Sequence, residues 1–201
     1  KSLSSAVQQE AQRHGIVCVT PTNLRGRKDL VADLDLLVVA AYGMILPPEI
    51  FHGPQFASLN VHASLLPRWR GAAPIERAIM AGDSETGVSI MQIEKALDAG
   101  PLFALTHHPL SGDETGASLS KTLARIGSAS LIEVLRDWSD LPKPSPQDHQ
   151  RATYAYKLTP ADSLISWTTP AVDIERIVRA LSDRSAAYAR LGENRIRILK
   201  V

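Results

Sequence analysis

Cysteine is almost missing. Cys18 is the only one, so no disulfide framework can form within the chain, and a reducing compartment is expected. Aromatic residues are scarce, at 5%. No apolar run approaches the length needed to cross a bilayer, which argues against a membrane-spanning chain. An excess of one charge is missing too. The net charge is +1, so no global field draws nucleic acid, and any anion site must be local. There are no internal repeats, which excludes a solenoid. The chain opens at Lys1 directly in a helical pattern, without a signal-peptide layout. Hydrophobic residues at 44% and charged residues at 21% give the profile of a soluble globular chain. Its 201 residues allow one sizeable core, or one domain plus part of another.

The pattern alternates strands with helices. Residues 2 to 14 read as a helix stopped at Gly15, and Ile16 to Val19 as a short β-branched strand. Pro21 to Lys28 is a basic, turn-rich loop, and Asp29 to Leu34 holds one or two helical turns. Leu36 to Tyr42 is a continuous apolar run, as in a strand buried on both faces. Pro47-Pro48 opens a short helix. A strand then leads into Asn60 and His62, followed by a helix over Ala72 to Ala81. Val88 to Ile93 and Leu102 to His107 read as strands, and a long helix runs from Ala117 to Trp138. This order predicts an α/β fold with a largely parallel sheet.

Pro142, Pro144 and Pro146, with Ser145 and Gln147, mark a linker over 142–153. Tyr154 to Trp167 is irregular. Pro170 suits the first position of a helix capped by Thr169, with Ile174, Ile177, Val178 and Leu181 on its apolar face. Ala186 to Leu191 and Arg195 to Leu199 read as a β-hairpin. A lone helix and hairpin are marginal by themselves. The expectation is a catalytic domain over 1–141 and the beginning of a truncated, β-rich second domain over 154–201.

Asn60 and His62 sit two residues apart at a strand end, so they project from one face. Strand ends are where open α/β sheets place ligands. An Asn-x-His pair alone has many structural uses. Asp98, in Leu97-Asp98-Ala99-Gly100, is a turn residue whose connection could bring it beside His62. An Asp there would orient the imidazole, and Asn60 with His62 would form two donors aimed at one point. That arrangement is an oxyanion hole for a tetrahedral intermediate. Ser58 and Ser64 lack a nucleophile elbow. The nucleophile would then come from a substrate, and the reaction would be acyl transfer between two bound molecules. No Cys, His and carboxylate set has metal-ligand spacing; His107 and His108 are adjacent and face opposite sides of a strand. His14, His52 and His149 read as surface residues. Arg68-Trp69-Arg70 is either a packed Trp with two solvated arginines or a clamp for phosphates or carboxylates, to which Arg25, Arg27 and Lys28 could add.

Three stretches together resemble the 10-formyltetrahydrofolate-dependent formyltransferase family. They are Asn60-Val-His62-Ala-Ser-Leu-Leu-Pro67, Arg68-Trp-Arg-Gly-Ala-Ala-Pro74, and Gly87-Val-Ser-Ile with Leu97-Asp98-Ala-Gly100. The Arg-Trp-Arg-Gly-Ala-Ala-Pro wording is most similar to members that formylate methionyl-tRNA. Thr153 to Leu158, with Ile165-Ser-Trp167, resembles the entry into their C-terminal domain. The resemblance implies a Rossmann-like domain, a catalytic Asn60, His62 and Asp98, and a folate-binding Ser64, Leu65, Leu66 and Pro67. It also implies that Gly43 to Leu46, including Ile45 and Leu46, and Glu94 to Leu97 line a pterin pocket. Arg68, Trp69 and Arg70 would flank the entry of the amine substrate. The implied donor is 10-formyltetrahydrofolate, without a metal. The implied partner is initiator methionyl-tRNA, met by a cytoplasmic, bacterial-type monomer. A cis bond is expected at Leu66-Pro67.

The family's N-terminal strand, with its Gly-Thr-Pro turn, and most of its C-terminal domain are absent from the sequence. Ser182-Asp183-Arg184-Ser185 stands where the family shows an Asn-Pro-x-Pro-Gly type turn. Two other readings stay open. One is a sibling enzyme that formylates an amino sugar or a glycinamide, or hydrolyses formyl-folate. The other is a folate-binding module without turnover, against which the intact Asn60, His62 and Asp98 set argues.

Overall fold

The structure, a computed structural model, describes residues 4–182 and 186–200. Helix α1 (Ala6–Arg13) is capped by the Ser5 hydroxyl, which accepts from the Gln8 N–H. No strand forms over Ile16 to Val19, contrary to the sequence pattern. Val17 is 90% exposed. β-Branched residues form a strand only against a partner ladder, and none lies beside them among the described residues.

The central sheet has four described strands in the order β1 (Leu36–Ala40), β2 (Ala57–His62), β4 (Glu85–Gln92) and β5 (Leu102–Pro109). β1 runs parallel to β2, with Ala40 opposite Val61. β2 and β4 are antiparallel, with His62 opposite Ser89, and so are β4 and β5. The described part is therefore mixed rather than largely parallel. The β4–β5 connection contains no helix, so those strands form a hairpin instead of a crossover. Among the described residues β1 has a partner on one side only and is half-exposed, not buried on both faces as its apolar run suggested.

Between β1 and β2 lies α2 (Pro48–Phe51), opened by the expected proline. Between β2 and β4 lie the two-residue β3 (Arg70–Gly71) and α3 (Pro74–Ala81), which ends on Gly82 in the left-handed conformation. The long helix α4 (Gly116–Arg136) starts with a capping box of Thr115 and Ser118. It lies close against the sheet at Gly127, where a Cβ would stand 2.8 Å from a Val61 methyl carbon. Leu59, Val88 and Ile90 from the sheet pack with Leu119, Leu123 and Val134 from α4 to make the core. Full burial of each such side chain is worth roughly 1.5–3 kcal/mol.

β6 (Tyr154–Ala155) pairs in parallel with β3. Helix α5 (Ala171–Leu181) begins one residue later than expected. Pro170 is its N-cap, with no side-chain cap bond from Thr169. Ala180 and Leu181 of α5 enter the main core, so this helix of the C-terminal portion is part of the same packed body. The hairpin β7 (Ala187–Leu191) and β8 (Asn194–Ile198) forms as expected, and Ala187 and Ala189 pack with Ile165 and Val178 in a small second cluster. The Asp183-Arg184-Ser185 part of the departure from the family pattern lies outside the described residues. Among the described residues no helix is long and apolar enough to cross a membrane.

Candidate active site

Strand alternation puts Asn60 and His62 on one face of β2. Asn60 is half-buried; His62 is buried at 5% exposure. Asp98 reaches His62 from the β4–β5 loop. Gln92, the last residue of β4, lies near Leu59, where the two strands pair. The loop therefore runs back along β2 to bring Asp98 Oδ2 within 3.7 Å of His62 Nδ1. That separation is one-sided contact rather than a direct hydrogen bond. The same Asp98 oxygen accepts the Gly71 N–H at 2.8 Å. Asp98 has φ +46, a left-handed conformation that Asp and Asn tolerate better than other side chains.

The second nitrogen of His62 is already engaged. Nε2 lies 2.9 Å from the Trp69 carbonyl. A carbonyl only accepts, so Nε2 carries the hydrogen, and Nδ1 is the nitrogen turned toward Asp98. Trp69 thus contributes its backbone to this site. Its φ is +64, in the left-handed region.

The segment between His62 and β3 is tied from beneath. Ser89 Oγ donates to the Ser64 carbonyl at 2.6 Å and accepts the Leu66 N–H at 3.0 Å. Ser64 Oγ donates to the Arg68 carbonyl at 2.6 Å. Ser64 and Leu66 are buried, so their side chains shape the segment. The Leu66-Pro67 bond is cis, as expected. Leu65 and Pro67 are half-buried, while Ile45 and Leu97 stand well exposed and Leu46 is half-buried.

The Arg68-Trp69-Arg70 loop does not hold two solvated arginines. Arg70 is 3% exposed. Its Nε and Nη2 donate to Gln147 Oε1 at 3.0 and 2.6 Å, and Nη2 lies 3.1 Å from His149 Nδ1. Arg70 is therefore not a solvated arginine: its guanidinium is turned to Gln147 and His149. Arg68 remains half-exposed but pairs with Asp83 at 2.5 Å, and it lies 4.4 Å over the Trp69 ring. The Asp83 hydrogen bond raises the Arg68 pKa above its ordinary value. Trp69 Nε1 donates to Asp83 as well, at 2.7 Å. A cavity of about 740 Å³ opens beside this loop, lined by Leu65 to Trp69 with Asp83, Glu85, Thr86 and Arg151, among others. Asn60, His62 and Asp98 do not line it.

Residues 151–155 complete the support. Trp69 N–H donates to Thr153 Oγ1 at 2.9 Å, Arg70 N–H to the Thr153 carbonyl at 2.9 Å, and Ala72 N–H to the Ala155 carbonyl at 2.8 Å. Ser89, Gln147 and Thr153 were not singled out as site residues in the sequence. Ser89 and Thr153 lie inside stretches that carry the family resemblance, so they could have been found; Gln147 sits in a proline-rich connection that offers no signal. His107 faces Glu85 at 3.1 Å on an exposed strand end. Among the described residues no group of three His, Cys, Asp or Glu side chains is placed to hold a metal.

A carboxylate beside a histidine at a strand end in an α/β sheet can orient the imidazole toward a bound group. Residues 26–135 match the formyl transferase domain and residues 157–201 the formyl transferase C-terminal domain; the chain belongs to this family. Methionyl-tRNA formyltransferase of Novosphingobium aromaticivorans is 45% identical over 199 residues, covering 97% of this chain and 65% of that protein. The chain thus spans just under two thirds of that relative's length. Among solved structures, methionyl-tRNA formyltransferase from Clostridium thermocellum superposes with a TM-score of 0.74 at 20% identity, over 94% of this chain and 84% of that one. HypX from Aquifex aeolicus, in complex with tetrahydrofolic acid, superposes with a TM-score of 0.71 at 20% identity, over 82% of this chain and 29% of that one. At these identities the two structures share the fold.

Proposed function

We propose that the protein transfers a formyl group from 10-formyltetrahydrofolate to the α-amino group of initiator methionyl-tRNA. One observation carries the choice of substrate: 45% identity across 97% of this chain to a methionyl-tRNA formyltransferase. The chemistry is supported by the pairing of His62 with Asp98.

The donor fits what the chain offers. Ile45 is 95% exposed and Leu97 61% exposed, on the two loops that the family resemblance assigns to the pterin, and they present apolar surface to a flat ring. When bound, the donor supplies the formyl carbon as electrophile. Asn60 and His62 then stabilise the oxygen that becomes negative as the amine adds. His62 does this as the imidazolium, through Nδ1–H, because its Nε2–H is already donated to the Trp69 carbonyl. Asp98 orients the ring and takes a proton from the attacking amine, directly or through water. As the tetrahedral adduct collapses, the bond to the folate nitrogen breaks and Asp98 passes the proton taken from the amine to that nitrogen, directly or through water.

In this reading residues 1–141 form the catalytic unit, 142–153 the connection, and 154–201 the beginning of the tRNA-holding domain. The protein would act as a monomer in the cytoplasm, where tRNA is charged. The deciding experiment is a formylation assay of the intact protein with 10-formyltetrahydrofolate and Met-tRNA. Free methionine, an amino sugar and glycinamide ribonucleotide serve as competing amines, and release of formate reports hydrolysis. Formyl-methionyl-tRNA as the dominant product supports the proposal. A small formylated amine, or formate alone, overturns the substrate assignment.

A further inference from the structure

Gln147 belongs to neither of the matched family segments; it lies in the connection between residues 135 and 157. The surrounding prolines mark that stretch as a spacer. Yet Gln147 is 6% exposed, and its amide is fully used. Oε1 accepts Nε and Nη2 of Arg70 at 3.0 and 2.6 Å. Nε2 donates to the carbonyls of Asp98 at 2.9 Å and Gly100 at 2.7 Å. Guanidinium only donates and carbonyls only accept, so the amide can sit in this orientation alone. All four of its hydrogen-bonding positions are filled.

The two carbonyls belong to the turn that carries the Asp98 carboxylate. That turn is confined elsewhere as well. Asp98 holds φ +46, and a Cβ at Gly100 would fall 2.0 Å from the Gln92 carbonyl oxygen. Arg70, on the other side, begins the strand whose next residue, Gly71, donates to the Asp98 carboxylate. Gln147 therefore joins both supports of Asp98, the turn behind it and the strand in front of it. A conformation that local sterics disfavour persists where its surroundings over-determine it.

We infer that Gln147 is a positioning residue: through Arg70 and the Asp98–Gly100 turn it sets the distance from Asp98 to His62, which makes the interdomain connection a working part of the active site. This inference rests on the proposed roles of His62 and Asp98.

The test uses the intact protein, steady-state formylation kinetics and thermal melting. Gln147→Glu keeps an acceptor for Arg70 but gives up both donors to the turn. The expected result is a fall in kcat of about 10²-fold, the scale of a small misplacement of a reacting group. KM for Met-tRNA and for the donor should stay unchanged. A residue that only anchored Arg70 would be rescued by the glutamate. In an Asp98→Asn background, Gln147→Glu should cost nothing further, because the group it positions is gone. Arg70→Lys provides a second route should Gln147→Glu fail to fold: it keeps the charge and loses the fork, so kcat should again fall with KM unchanged. Normal kcat in both variants, or penalties that multiply with Asp98→Asn, would overturn the inference while leaving the site reading in place. An Asp98→Asn enzyme with normal turnover would bring down the site reading, and this inference with it.

Discussion

Gly71 donates its N–H at 2.8 Å to the Asp98 oxygen that also faces His62. Asp98 is thus oriented by backbone before any substrate arrives, and its free direction is toward the ring. His62→Ala should therefore lower kcat by about 10²–10³, the usual cost of one oxyanion donor, with donor affinity little changed. Stopped-time formylation assays and donor titration by fluorescence check this. Normal turnover would remove His62 from the chemistry.

Gly71 is held to glycine twice. Its φ is +117, and a Cβ would stand 2.8 Å from the Ala155 carbonyl oxygen. Gly71→Ala must push β3 from β6 and draw the N–H away from Asp98. A loss of roughly 1–3 kcal/mol in stability is expected from the backbone strain alone, along with a fall in kcat. Urea unfolding and activity should move together. An alanine variant with wild-type stability would show that β3 and β6 can part without harm.

Much of this was legible in the sequence, for identifiable reasons. The shared face of Asn60 and His62 follows from their period-two spacing, and α4 from its apolar stripe. The strand directions were not legible, because an apolar run records burial and not polarity of pairing. The Ile16 to Val19 stretch shows the same gap: β-branched residues signal strand propensity, but a ladder needs a partner. The burial of Arg70 was not legible, because its charge suggests solvent and the Gln147 amide that accepts it lies far along the chain. Trp69 looked like a side-chain contributor, yet what it gives His62 is its carbonyl, which is the same atom in every residue type. The Leu66-Pro67 cis bond was expected and is present.

Arg77 of α3 meets Asp162 at 2.6 Å and ties α3 to the segment before α5. Burial alone would raise the Asp162 pKa, but hydrogen bonds from Arg77 and from the Thr159 N–H and hydroxyl outweigh it, lowering it from 3.8 to about 2. A depressed carboxylate stabilises the fold above its unfolded pKa and loses that contribution as the pH falls through its folded pKa. The stability gap between the wild type and Asp162→Asn should be present at about pH 5 and close toward about pH 2. Glu114, also lowered to about 2, remains in both proteins and cancels in the difference. Denaturant midpoints across that range are the measurement. A gap that widened on acidification would contradict the assignment.

The last prediction separates Arg68 from Arg70. Arg70 is buried against Gln147, whereas the Arg68 side chain is 45% exposed beside the Asp83 carboxylate. With a net charge of +1 over the full sequence, the proposed hold on tRNA would rest on local cations. To reach a phosphate, Arg68 must leave Asp83, whose carboxylate is 11% exposed and keeps the Trp69 Nε1 hydrogen bond when the guanidinium turns away. Arg68→Ala should raise KM for Met-tRNA and reduce the salt slope of tRNA binding by about 0.7, the value for one phosphate of a single strand. Arg70→Ala should leave that slope unchanged and instead lower stability by about 1–3 kcal/mol, since it strands the buried acceptor of Gln147. Filter binding across a salt series and thermal melts on both variants distinguish the two roles. An unchanged slope in Arg68→Ala would make the loop purely structural. A reduced slope in Arg70→Ala would mean that the guanidinium leaves Gln147 when tRNA binds.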